Sequence, residues 1–185
     1  MISWAIPIAG LSLAGNGFLA ANGFGAVRRD EAVYRAVEAH RAALGALIRR
    51  EPAEAPGLPD SIVAVLHGTG RARILIIAHI DTLFGPGTAA ARPFSIDGDR
   101  AHGPGVGDEK GGVVNAVIAL EILHALGFKK FATITMLLDN SEERGSPGST
   151  HLIETLARRS SVEFNMESGN AATRSHAQRP LSPRR

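Results

Sequence analysis

Hydrophobic positions fall along this chain in two periods. "SIVAVL" (61–66) and "ILIIAHI" (74–80) are short aliphatic, β-branched runs bounded by glycine, proline and charge, which predicts strands. The intervening "HGTGRAR" predicts a hairpin-like connection between them. "FATITMLL" (131–138) and "SVEFNM" (161–166) predict two further strands, the first of them buried. Helical spacing appears elsewhere. Val33, Val37, Leu44, Leu47 and Ile48 recur among charges and predict an amphipathic helix over 30–50. Residues 112–126 are apolar almost all round and stop at Gly127, the pattern of a buried helix with a glycine C-cap. "GSTHLIETLARR" predicts another helix, and Asp97-Gly98 in "PFSIDGDRAHG" a tight turn. Strands alternating with helices of this length predict an α/β fold with parallel strands inside the sheet.

Composition narrows this without redirecting it. A chain of 185 residues, 44% hydrophobic and 21% charged, is one ordinary globular domain. The net charge is only +2, and the terminal "RSHAQRPLSPRR" supplies Arg174, Arg179, Arg184 and Arg185 with no acid and no hydrophobic period. Residues 171–185 therefore read as a basic disordered tail. Basic residues interleaved with aromatics over a folded face, the footprint of nucleic-acid binding, are missing, so no nucleic-acid partner is expected. No cysteine is present, which excludes disulfides and thiolate metal sites. Residues 1–27 carry no charged side chain. They lack the basic start of a signal peptide, and Pro7, Asn16 and Asn22 interrupt them, so they read as an apolar extension only weakly like a signal. No membrane association is expected, and a cytoplasmic location is favoured.

Chemistry gathers where the apolar runs end. In sheets of this kind, ligands bind outside the carboxyl ends of the strands. His79 and Asp81 follow "ILIIA", Glu142 and Glu143 follow "FATITMLL", and Glu167 follows "SVEFNM". Asp108 lies in the glycine-rich "GPGVGDEKGG" just before the buried helix. An imidazole with several carboxylates at one edge is a donor set for a divalent metal, and without cysteine it favours zinc. Asp81, two residues beyond His79 in extended chain, projects to the same side, as a carboxylate that orients a metal-bound imidazole does. Each residue also has a plainer role: His79 a histidine satisfied at a strand end, Asp81 a turn cap, Asp108 the helix N-cap, and Glu142–Glu143 a solvated turn. The glycine loop fits neither the phosphate-binding P-loop nor GxGxxG, which disfavours nucleotides.

From about Ile74 to Glu167, the motifs "AHIDTLF", "GPGVGDEKGG" and "DNSEERGSPGS" together resemble the co-catalytic zinc peptidases. That family includes glutamate carboxypeptidase, aminoacylase, acetylornithine deacetylase and succinyl-diaminopimelate desuccinylase. "DTLFGPGTAAARPFSIDGDRAHGPG" is most similar to the glutamate carboxypeptidase branch. The resemblance implies a three-layer α/β sandwich with a mixed, largely parallel central sheet. It implies two zinc ions and a small peptide or N-acyl amino acid substrate. His79 would bind one zinc, oriented by Asp81 and completed by Glu167. Asp108 would bridge both zincs across a cis peptide to Glu109, Glu143 would hold the second zinc, and Glu142 would be the general base and later acid. Family members are much longer, with a lid and dimerisation domain and a final zinc-binding histidine after it. The resemblance therefore implies that residues 28–170 are the N-terminal part of an incomplete catalytic domain, with low or no activity alone. An inactive remnant or interaction module retaining the fold is the alternative.

Overall fold

The computed structural model describes residues 44–85 and 87–169, together with Ala39 and the backbone of Ala177–Gln178. The apolar N-terminal extension, and all of the basic tail except that dipeptide, lie outside the described residues.

Six strands form one mixed sheet: β1 (Leu47–Glu51), β2 (Ser61–His67), β3 (Arg73–His79), β6 (Thr133–Asp139), β7 (Val162–Asn165) and β8 (Ala177–Gln178). Across the sheet they run β1-β2-β6-β3-β7-β8. The inner pairs β6–β3 and β3–β7 are parallel, and the flanking pairs are antiparallel. β4 (Ser95–Asp97) and β5 (Arg100–His102) form a separate hairpin. It turns at Gly98 and Asp99, beside the predicted Asp97-Gly98 turn.

Alternation along the strands builds three layers. Ile62, Ala64, Leu66, Ile76, Ala78, Ile134, Met136 and Leu138 face one side, where helix α1 (Gly111–Ala125) packs through Val113, Ala116, Val117 and Leu120. Val63, Leu75 and Leu137 face the other, against Leu152, Ile153, Leu156 and Ala157 of helix α2 (Thr150–Arg158). Successive strand residues point to opposite faces, so each strand feeds both cores. α1 contributes a single stripe at i, i+3, i+4 and i+7. Its far side, including Asn115 and Ala119, is exposed. Its apolar sequence predicted burial all round, but among the described residues only one sheet face covers it.

Two other expectations are corrected. The helix predicted over 30–50 does not reach its end: Ala39 and Leu44 are helical, whereas Leu47–Glu51 is strand β1. Gly45 takes a left-handed φ of 62°, which stops the helix, and the following residues pair with β2. β2 and β3 are also not a hairpin, because β6 lies between them. The intervening loop instead runs beside the approach to β6, with Gly68 N donating to Ala132 O and Gly70 N to Phe131 O.

Parallel pairing fixes the functional edge. His79 is in register with Asp139, and Ile77 with Asn165. β3, β6 and β7 therefore release their carboxyl ends side by side, as such sheets do at ligand sites.

Candidate active site

His79 ends β3 with a side chain only 1% exposed. Its two ring nitrogens face different partners. Nδ1 lies 3.3 Å from Asp81 Oδ1 and 3.2 Å from the Asp81 carbonyl. Nε2 lies 2.8 Å from Asp108 Oδ1, 3.5 Å from Glu167 Oε1 and 3.9 Å from Glu142 Oε2. An Nδ1–H donated to Asp81 leaves Nε2 as the nitrogen that meets the acids.

Asp81 contacts the His79 ring and also caps the next turn. Its Oδ1 accepts from Glu142 N and its Oδ2 from Glu143 N, each at 3.1 Å. Those amides open a short 3-10 turn, Glu142–Arg144, where Ser141 provides no side-chain cap. Asp81 satisfies these otherwise orphaned donors from another strand end. One carboxylate thereby ties His79 to the acid pair, and Leu83 N donates to Glu143 Oε1 at 3.2 Å. The turn has a buried base: Asp139 Oδ1 accepts from the backbone N–H and the hydroxyl of Ser141, whose Oγ accepts from Gly148 N. Far from being a solvated turn, "DNSEERGSPGS" is a braced platform.

Asp108 and Glu109 are joined by a cis peptide bond, in agreement with the resemblance. Asp108 is not the cap of α1. That position belongs to Lys110, without a side-chain cap bond, and Asp108 turns to His79. Gly112, at the start of α1, has no room for a side chain: a Cβ there would lie 2.3 Å from Met166 O. This close approach brings the Asp108 loop against the segment carrying Glu167.

Glu109 is the residue that sequence reading did not assign. It is 1% exposed, and its Oε1 accepts His79 N–H at 2.8 Å. Its Oε2 is buried with no partner among the described residues. The signal available was an acid at the foot of a buried helix, next to Asp108.

Electrostatics follow from this crowding. Burial pulls the His79 pKa down, but hydrogen bonds to Asp81 and Asp108 and the charges of Glu109 and Asp81 outweigh it, giving about 10. Burial pushes Glu109 up to about 7 against the His79 N–H bond, helped by the charges of Glu167 and Asp108. Glu142 is raised by burial and, further, by Glu167, Asp81 and Glu143, with His79 opposing. Acids clustered around one imidazole call for more positive charge than it supplies. His79, Asp108 and Glu143 offer ligand atoms within 4.8 Å of one another, as do His79, Glu109 and Glu167. Nitrogen and carboxylate donors at such spacing, beside an orphaned carboxylate oxygen, fit a divalent cation. All six residues singled out in the sequence, His79, Asp81, Asp108, Glu142, Glu143 and Glu167, meet at this edge.

Residues 75–178 match the family described as Peptidase family M20/M25/M40, just over half of the 185 residues. The chain belongs to this peptidase family. This M20 chain is 36% identical over 137 residues to Carboxypeptidase G2 of Pseudomonas sp. (strain RS-16), covering 73% of itself and 32% of that protein. Its fold is similar to the M20 family metallo-carboxypeptidase Sso-CP2 of Sulfolobus solfataricus (TM-score 0.68, 20% identity, 86% of this chain and 37% of that one). It is likewise similar to human carnosine dipeptidase 1 (TM-score 0.60, 19% identity, 82% and 36%). The M20 chain thus spans roughly a third of the length of these relatives. Among its described residues, no helix is long and apolar enough to cross a membrane.

Proposed function

We propose that this chain carries a zinc-dependent hydrolase site for C-terminal glutamyl peptides or related N-acyl amino acids. The observation that carries the reading is His79 Nε2 facing Asp108, Glu142 and Glu167 while Asp81 bonds both His79 and the Glu142–Glu143 turn. His79, Asp108, Glu143 and Glu167 are the residues that would hold zinc, with two ions as the proposed complement. When bound, the metal supplies Lewis acidity, activating water and polarising the scissile carbonyl.

The remaining work falls to side chains. Asp81 fixes the His79 tautomer and seats both glutamates. Glu142, half exposed and with its pKa raised, is placed to take a proton from the attacking water. The hydroxyl adds to the amide carbon, the C–N bond breaks, and Glu142 returns the proton to the leaving amine. Residues 28–170 form the N-terminal part of the catalytic domain in this reading.

Hydrolysis of N-acyl-glutamates by the zinc-supplemented chain is the test. Glu142→Gln is expected to lower turnover by about 10²–10⁴-fold, the usual share of a general base, while leaving zinc bound. Zinc binding without turnover in the parent chain overturns the hydrolase reading in favour of a non-catalytic module.

A further inference from the structure

Leu83, Phe84 and Arg92 form a lip beside the site with no part in the roles above. Leu83 is 79% exposed and Phe84 38%, yet the Leu83 N–H is bonded to Glu143 Oε1, which ties this stretch to the catalytic turn. The Arg92 guanidinium carbon sits 4.8 Å from the Phe84 ring centroid. Among the described residues Arg92 makes no ion pair with a carboxylate, although the neighbouring edge is crowded with acids. An aromatic face, rather than an acid, positions this cation. Stacking on an aromatic face restrains a guanidinium without using its N–H donors, so less freedom is lost when they bind. One Cα step of ~3.8 Å separates Leu83 from Phe84. The Leu83–Glu143 bond and the Arg92–Phe84 stack thus place the guanidinium on the stretch that adjoins Glu143.

We propose that Arg92, laid on Phe84, is a specificity-determining residue that reads a carboxylate on the substrate's side chain. Arginine meets a carboxylate with two parallel hydrogen bonds, a geometry that a neutral amide does not reproduce. The exposed Leu83 offers an apolar surface beside it for the aliphatic part of that side chain. The inference rests on the hydrolase reading, because it presumes an acyl substrate seated at Glu142 and Glu143.

The test compares N-benzoyl-L-glutamate with N-benzoyl-L-glutamine by calorimetry on the zinc-loaded 185-residue chain, with product release followed in the same samples. The acid is expected to bind about tenfold more tightly than the amide. Arg92→Gln should erase that preference, Arg92→Lys should keep part of it, and Phe84→Leu should reduce it by letting the guanidinium wander. Arg92 is exposed, so these variants should melt with the parent chain, which checks that folding is intact. Equal binding of the two ligands by the parent chain, failure of both to bind, or a preference that survives Arg92→Gln overturns the proposal. Preference without hydrolysis upholds it and counts against the hydrolase reading. Hydrolysis without preference does the reverse.

Discussion

The middles of β2, β3 and β6 and their surroundings at the carboxyl edge follow opposite rules. Through the middles, every buried side chain is apolar, and alternation sends each to one of two cores. At the edge, His79, Glu109, Asp139, Asn140 and Ser141 are all nearly fully buried and all polar. Burying polar groups costs stability unless each finds a partner, and Glu109 Oε2 and Asp139 Oδ2 find none among the described residues. The contrast separates two jobs within the same strands. The middles hold the fold, and the edge gives up stability to keep acids clustered around one imidazole.

Substitutions should separate these jobs. Leu137→Ala, in the middle of β6 with no exposure, should cost about 2–5 kcal/mol. Denaturant unfolding measures the loss, and zinc affinity of the folded fraction should stay unchanged. A matching fall in affinity would erase the distinction. Asp81→Ala should do the converse. It frees the His79 ring and two turn amides, so zinc affinity should fall about 10–100-fold, as for other carboxylates that orient a ligand. Its stability cost should be nearer ~1 kcal/mol, that of a lost cap.

The smallest effect is in pH. Without metal, His79 is raised from 6.5 to about 10 and Glu109 from 4.5 to about 7, so the folded state holds protons more tightly than the unfolded one. Stability then falls as pH rises. The His79 contribution is full below pH 6.5 and lost through about 10, and that of Glu109 is full below 4.5 and lost through about 7. The metal-free chain should melt lower at pH 9 than at pH 6, and zinc, which replaces the His79 proton, should flatten the slope. A melting temperature that climbs over this window would contradict the proposed charge arrangement.

The same contrast explains how much was legible in the sequence. Strand middles announce themselves by runs rich in aliphatic residues, and most of the candidate site residues stood out because the runs ended in histidine or acid. Strand order was not legible. The insertion of β6 between β2 and β3 depends on pairing across more than sixty residues, as in Ile62 with Leu138, whereas a local reading favours a hairpin. Leu47 and Ile48 fitted a helical period, but Gly45 and pairing with β2 overrode it. Glu109 escaped because its partner, His79 N–H, lies thirty residues back in the chain, and nothing local marks such a bond. The acid pair at 142–143 was legible as a candidate feature, while its brace through Asp139 and Ser141 emerged only from tertiary contacts.

A zinc titration by calorimetry at neutral pH, run on the parent chain and on His79→Ala, tests the central claim most directly. The account predicts saturable zinc binding by the parent, with protons released as the metal displaces them from His79, and loss of that binding in the variant. Binding that is unaffected by His79→Ala, or no binding by the parent, would contradict it.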